Sequence, residues 1–193
     1  MNGRLTLLLF GSYFGVMVAV VGGAVVMPEL FLGHPHRGIS FWGNYFSALV
    51  PYSIGLLASI ACLAYAAYIL PDYPERLGVM RRLFAAIAAG LALVLLTPEQ
   101  ANILFYWAHT FAAVYLFVIT GLSSLWIMAQ DGKTMLDWAL FWVLTGGLVL
   151  SLLSTSLFNV FDYLALGQVM AANSGALLII RATARWSRAV AKE

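Results

Sequence analysis

The chain has 193 residues, of which 63% are hydrophobic and 9% charged, with a mean hydropathy of +0.92. A soluble domain has about a quarter of its residues charged, and no water-soluble fold of this size can bury so much apolar surface. A soluble enzyme, a nucleic-acid-binding domain and a disordered chain are therefore excluded. The net charge of +2 suggests no polyanionic partner. The one cysteine, Cys62, excludes an internal disulfide and a cysteine-ligated cluster.

The charged residues cut the chain into long charge-free runs at 5–28, 38–71, 83–98, 100–130, 138–161 and 163–180. A helix rising ~1.5 Å per residue needs about 20 apolar residues to cross the hydrocarbon. The expected fold is all-α: a single domain over residues 1–193, with six transmembrane helices in one bundle. The helices are expected near 5–27, 45–70, 79–97, 101–128, 137–159 and 163–184.

The first span has too long an apolar stretch for a signal peptide and no A-x-A site after it, so a retained helix is expected. It carries Gly11-x-x-x-Gly15, a spacing that lets two backbones approach closely, within the bundle or between two copies. The connection after it holds Pro28, Gly33-His34-Pro35-His36-Arg37-Gly38, Gly43 and Asn44. The second span opens with Pro51, Tyr52 and Ser53, and Pro51 removes one backbone donor, where a kink is expected. Pro71, Asp72 and Pro74 end it. The third run is short, and Arg81 and Arg82 would snorkel to the headgroups. Thr97-Pro98-Glu99-Gln100 makes the turn into the fourth span, and Asp131-Gly132-Lys133 the turn out of it.

Six spans put both termini on one side. Nine of the ten lysines and arginines then fall on that side, leaving only Arg37 opposite. Positive loops stay cytoplasmic, so a cell-membrane protein with both termini inside is expected. Trp126, Trp138, Trp142 and Trp186 would anchor the inner interface, and Trp42, Tyr45, Trp107 and Tyr163 the outer one.

Polar groups concentrate in the outer half. Asn102, Tyr106 and His109 are spaced to share a face of the fourth helix. Ser151, Thr155 and Asn159 form a stripe on the fifth, bordered by Ser154, and Asp162 follows. Gln168 and Asn173 lie on the sixth. Such groups cannot face lipid cheaply, so an inward-facing polar pocket is expected. For the serines and threonines, the alternative is helix-to-helix glue at about 0.6 kcal/mol per contact. His109 is the one ionisable group, tyrosines aside, well inside a span, which makes it a functional candidate. Its alternative is an imidazole hydrogen-bonded to a neighbouring helix. The candidate ligand-binding set is His34, His36, Arg37, Asn44, Asn102, Tyr106, His109, Asn159, Gln168 and Asn173. Should the protein be an enzyme, His109 or His36 would be the base and Asp162 or Glu99 its orienter or a metal ligand. His34 and His36 alone are too few ligands for zinc, and Glu29, Glu99 or Asp162 would have to complete the set, so they are weak candidates and no metal site is expected.

Several chemistries are disfavoured. Lys133 and Lys192 lie outside the spans, so no retinal Schiff base can form. Only His109 could ligate a haem from within a span. No nucleotide-binding, zincin or nucleophile-elbow motif and no arginine ladder is present. No cofactor is expected.

Two segments carry a resemblance: His36-Arg37-Gly38-Ile39-Ser40-Phe41-Trp42-Gly43 before the second helix, and Ala108-His109-Thr110-Phe111-Ala112-Ala113-Val114-Tyr115-Leu116-Phe117 in the fourth. With the six-span topology, the chain resembles bacterial six-helix membrane proteins distantly similar to the Frag/DRAM/Sfk group. It departs from that pattern at Phe41, where an Asp often follows the Ser. The resemblance implies a lipid-linked, non-catalytic role. The expected function is an accessory or regulatory protein with membrane lipids, or another membrane protein, as partners and no nucleic acid. A histidine-dependent membrane enzyme on a lipid-linked substrate is the alternative, and a small carrier or channel the third reading.

Overall fold

A computed structural model of the protein describes residues 3–28, 45–72, 74–98, 102–155, 158 and 160–190. Glu29, His34, His36, Arg37, Trp42 and Asn44 lie outside the described residues, as do Glu99, Gln100 and Asn159.

Six helices form one bundle: α1 (Gly3–Val26), α2 (Phe46–Ile69), α3 (Glu75–Leu96), α4 (Ile103–Ala129), α5 (Met135–Leu153) and α6 (Leu164–Val190). At 19 to 27 residues, all are long and apolar enough to cross a membrane. The protein is thus an all-α polytopic membrane bundle. Neighbours in sequence are neighbours in space, and α6 also touches α1, α3 and α4. That makes α6 the central helix. Within its most apolar stretch 44% of residues are buried, against 22 to 33% for the other five. Buried Ser174 and Thr183 lie on it, where an interior helix can satisfy polar groups against protein.

Three boundaries differ from the sequence expectation. α3 begins at Glu75 rather than near 79, because Pro74 in extended conformation supplies the entry. α6 continues to Val190 rather than 184. α5 stops at Leu153 rather than near 159. Beyond it, Ser154 Oγ accepts from the Tyr163 backbone N–H at 3.2 Å, and Thr155 Oγ1 donates to the Leu152 carbonyl at 2.7 Å. These hydroxyls offer the backbone a turn in place of another helical turn. The expected helical stripe through Thr155 therefore ends at Ser151.

Two close crossings hold the helices together. On α1 and α2, a Cβ added to Gly15 would sit 2.7 Å from the Gly55 carbonyl oxygen and 2.9 Å from the Ser59 nitrogen. Beside them Ser12 and Ser59 share a buried 2.9 Å hydroxyl–hydroxyl bond. The Gly11/Gly15 spacing thus serves packing within the bundle. On α5 and α6, a Cβ on Gly147 would meet the Ala171 nitrogen at 2.7 Å and the Gly167 carbonyl at 2.8 Å. Lipid gives no hydrophobic drive between helices, so such backbone proximity supplies the dispersion and weak hydrogen bonding that hold them. α2 runs on through Pro51, whose Cβ would lie 2.7 Å from a Cβ placed on Gly22.

The two halves of the bundle are packed differently. The half that carries both termini holds the main core, with Leu9, Met80, Phe84, Ile127, Leu178 and Trp186 among its members. Trp186 is 4% exposed and stacks edge-to-face on Trp126, so it belongs to this core and not to the interfacial belt. Trp138 and Trp142 are exposed, as interfacial anchors would be. The opposite half contains a cavity.

Candidate functional site

The cavity measures about 210 Å³, and residues of all six helices line it. Its wall is mostly Val, Leu, Ala and Phe, among them Val20, Leu56, Leu91, Ala113, Phe117 and Ala171. Tyr52, His109, Thr120, Ser151 and Gln168 supply the polar points. Among the described residues, no lysine, arginine, aspartate or glutamate lines it.

His109 stands six residues into α4, ~9 Å along the axis from Ile103. Its ring is 6% exposed. Nδ1 lies 2.7 Å from the backbone carbonyl oxygen of Thr97, the C-terminal cap residue of α3. A carbonyl can only accept, so Nδ1 carries the proton and donates. In a neutral imidazole Nε2 is then an acceptor, and it is buried with no partner among the described residues. Ser151, 3% exposed, likewise has a buried hydroxyl without a partner among the described residues. Each such atom costs about 1–3 kcal/mol if nothing bonds it. Two of them in one cavity wall mark the place where a ligand or an ordered water belongs.

The expected pocket residues divide. His109 and Gln168 line the cavity, and Ser151 and Tyr52 join them. Asn102 does not. It is the N-cap of α4, and its Oδ1 accepts from the Leu104 and Phe105 backbone N–H groups, each at 3.0 Å. Tyr106 turns outward, 38% exposed, against Trp107. The shared face expected for Asn102, Tyr106 and His109 is thus broken by the cap. Asn102 is not in helical conformation, and only His109 lies on the buried side. Asn173 accepts from the Tyr13 hydroxyl at 2.9 Å and donates to the Val169 carbonyl at 2.8 Å, which ties α6 to α1. Asp162 is exposed just before α6. Among the described residues no three of His, Cys, Asp and Glu gather as a metal site.

A second polar cluster lies in the half that carries the termini. Asp137 is 0% exposed. Its Oδ1 accepts from Arg181 Nε and its Oδ2 from Arg185 Nη1, both at 2.8 Å. The same carboxylate closes a capping box with Thr134, whose backbone N–H reaches Oδ2 at 2.9 Å. Arg181 Nη2 donates to Thr134 Oγ1 at 3.0 Å. Gly132, at φ 77°, takes the left-handed turn that brings the chain into this cap. Sequence reasoning treated Asp137 as a separator between spans. The signal that could have found it is Thr134-x-x-Asp137 before an apolar run, facing arginines spaced i, i+4 on α6.

No family model, curated protein or solved structure matches the chain.

Proposed function

We propose that the protein is a non-catalytic membrane protein that holds a lipid, or another membrane-borne amphiphile, in the cavity at His109 and Ser151 and acts as an accessory or regulator. One observation carries this reading: an apolar cavity in a membrane bundle, lined by His109 and Ser151, each with a buried polar atom that has no partner among the described residues. Ligand sites have this composition, a largely apolar wall with a few polar groups that fix orientation. The resemblance to six-helix proteins distantly similar to the Frag/DRAM/Sfk group points the same way. The distribution of lysine and arginine supports cytoplasmic termini, which puts the cavity in the outer half of the bilayer.

A histidine-dependent enzyme is the second reading. Nε2 of His109 has the lone pair a general base needs. The atom behind it bonds a backbone carbonyl and not a carboxylate, so the imidazolium formed by proton abstraction would lack the charged partner that such sites usually supply. That places the binding role first.

The test is mass spectrometry of the lipids kept by the full chain after mild detergent extraction. A defined lipid retained in near-stoichiometric amount, and depleted in Ala113→Phe, is expected. A lipid profile that matches bulk membrane and does not change in Ala113→Phe overturns the reading.

A further inference from the structure

We infer that the cavity selects an uncharged amphiphile bearing a hydroxyl or N–H donor, and discriminates against the same molecule with that donor blocked. The inference rests on the lipid-binding reading and specifies its ligand.

The Thr97 carbonyl oxygen stands at the end of α3 and accepts from the proton-bearing Nδ1 of His109 at 2.7 Å. In the neutral ring that bond puts the proton on Nδ1, and Nε2 is left to accept. A ligand that satisfies Nε2 must therefore donate. Ser151 can donate or accept, so it adapts to either side of a hydroxyl. Gln168 and Tyr52, the other hydrogen-bonding side chains at this level of the wall, already have an interaction partner.

Charge removes the other candidates. A phosphate or carboxylate would bring lone pairs, and no proton, to Nε2. It would also meet no lysine or arginine among the described residues of the wall. An ammonium would donate to Nε2 but meet no aspartate or glutamate among those same residues. An ester, an ether or a hydrocarbon leaves Nε2 without a bond. What remains is an apolar body carrying an alcohol or a neutral N–H, as in a long-chain alcohol or a lipid with a free hydroxyl. Sites built to bond a hydroxyl reject the analogue lacking it far more strongly than apolar pockets reject a methylene, because the buried acceptor is then left bare.

The experiment compares 1-dodecanol with its methyl ether as stabilisers of the detergent-purified full chain, by thermal unfolding. The two share the apolar tail and differ in the donor. Half-maximal stabilisation by the alcohol is expected at a concentration at least about tenfold below that for the ether. In His109→Leu the advantage should vanish, and in His109→Gln, which restores a carbonyl acceptor, it should return in part. The wild-type comparison stands alone should either variant fail to fold. Equal stabilisation of the wild type by both probes overturns the inference and leaves the lipid-binding reading intact. Should neither probe shift the unfolding transition, the cavity reading falls and this inference falls with it.

Discussion

Arg181 Nε reaches Asp137 Oδ1 at 2.8 Å across 44 positions of sequence, and it binds the start of α5 to the C-terminal half of the central helix. Arg185 completes the pair from one turn further on. The carboxylate is fully buried, so this pair is unlike the exposed Arg81–Asp72 bridge, whose side chains are 39% and 79% exposed. Losing the buried carboxylate leaves two arginines whose side chains are 36% and 22% exposed, so the cost falls below the ~3–5 kcal/mol of a wholly buried pair and above the ~0–1 kcal/mol of an exposed one. Asp137→Asn should therefore lower the thermal unfolding temperature in detergent markedly. Asp72→Asn should leave it nearly unchanged. Equal small shifts would show that the buried carboxylate is not holding α5 to α6.

The α1–α2 crossing gives a second prediction. A methyl at Gly55 would fall 2.6 Å from the Ala19 backbone nitrogen and 2.9 Å from its Cβ, atoms that cannot swing away. Overpacking of this kind costs about 1–3 kcal/mol. Gly146 has nothing within 4 Å of an added Cβ. Gly55→Ala should destabilise the protein and Gly146→Ala should not. Thermal unfolding of both variants in one detergent checks the difference.

The sequence made the six spans legible because hydropathy and charge act residue by residue. It misplaced the end of α5 because a charge-free run is not the same as a helical run: Ser154 and Thr155 carry no charge, yet their hydroxyls bond the turn. It cut α6 short because arginines were read as lying beyond the membrane, whereas Asp137 holds Arg181 and Arg185 against the bundle. His109 was legible as an ionisable group in an apolar span. The cavity around it was not, since its shape depends on Ala113, Ala171 and Ala172 arriving from two helices. Small residues carry no periodic signal for enclosed space. Asn102 was grouped with His109 by spacing alone, and spacing does not distinguish a cap from a helical position.

Filling the cavity is the third test. Ala113 lines it from α4, one turn beyond His109. Ala113→Phe adds a ring to a space of about 210 Å³ without adding any polar atom. Retained lipid, counted by mass spectrometry against protein, should drop at least severalfold, and the unfolding temperature should hold or rise, as dispersion contacts replace the void. An unchanged lipid count would mean that retained lipid sits elsewhere on the bundle.

The distribution of charge predicts the orientation of the site. Moving nine of ten cationic side chains to the outer face would oppose the rule that sets helical topology, whose strength comes from lysines and arginines in short loops near the span ends. Arg76, Arg81 and Arg82 cluster on the first turns of α3, and Arg181, Arg185 and Arg188 lie on the last turns of α6. Both groups act on one side of an even number of spans. A green fluorescent protein fused after Glu193 should therefore fluoresce in the cytoplasm, and an alkaline phosphatase fused in its place should be inactive. The reverse result would put the His109 cavity in the cytoplasmic leaflet. Its ligand would then have to be sought among lipids of that leaflet, while the hydrogen-bonding argument at Nε2 would be unaffected.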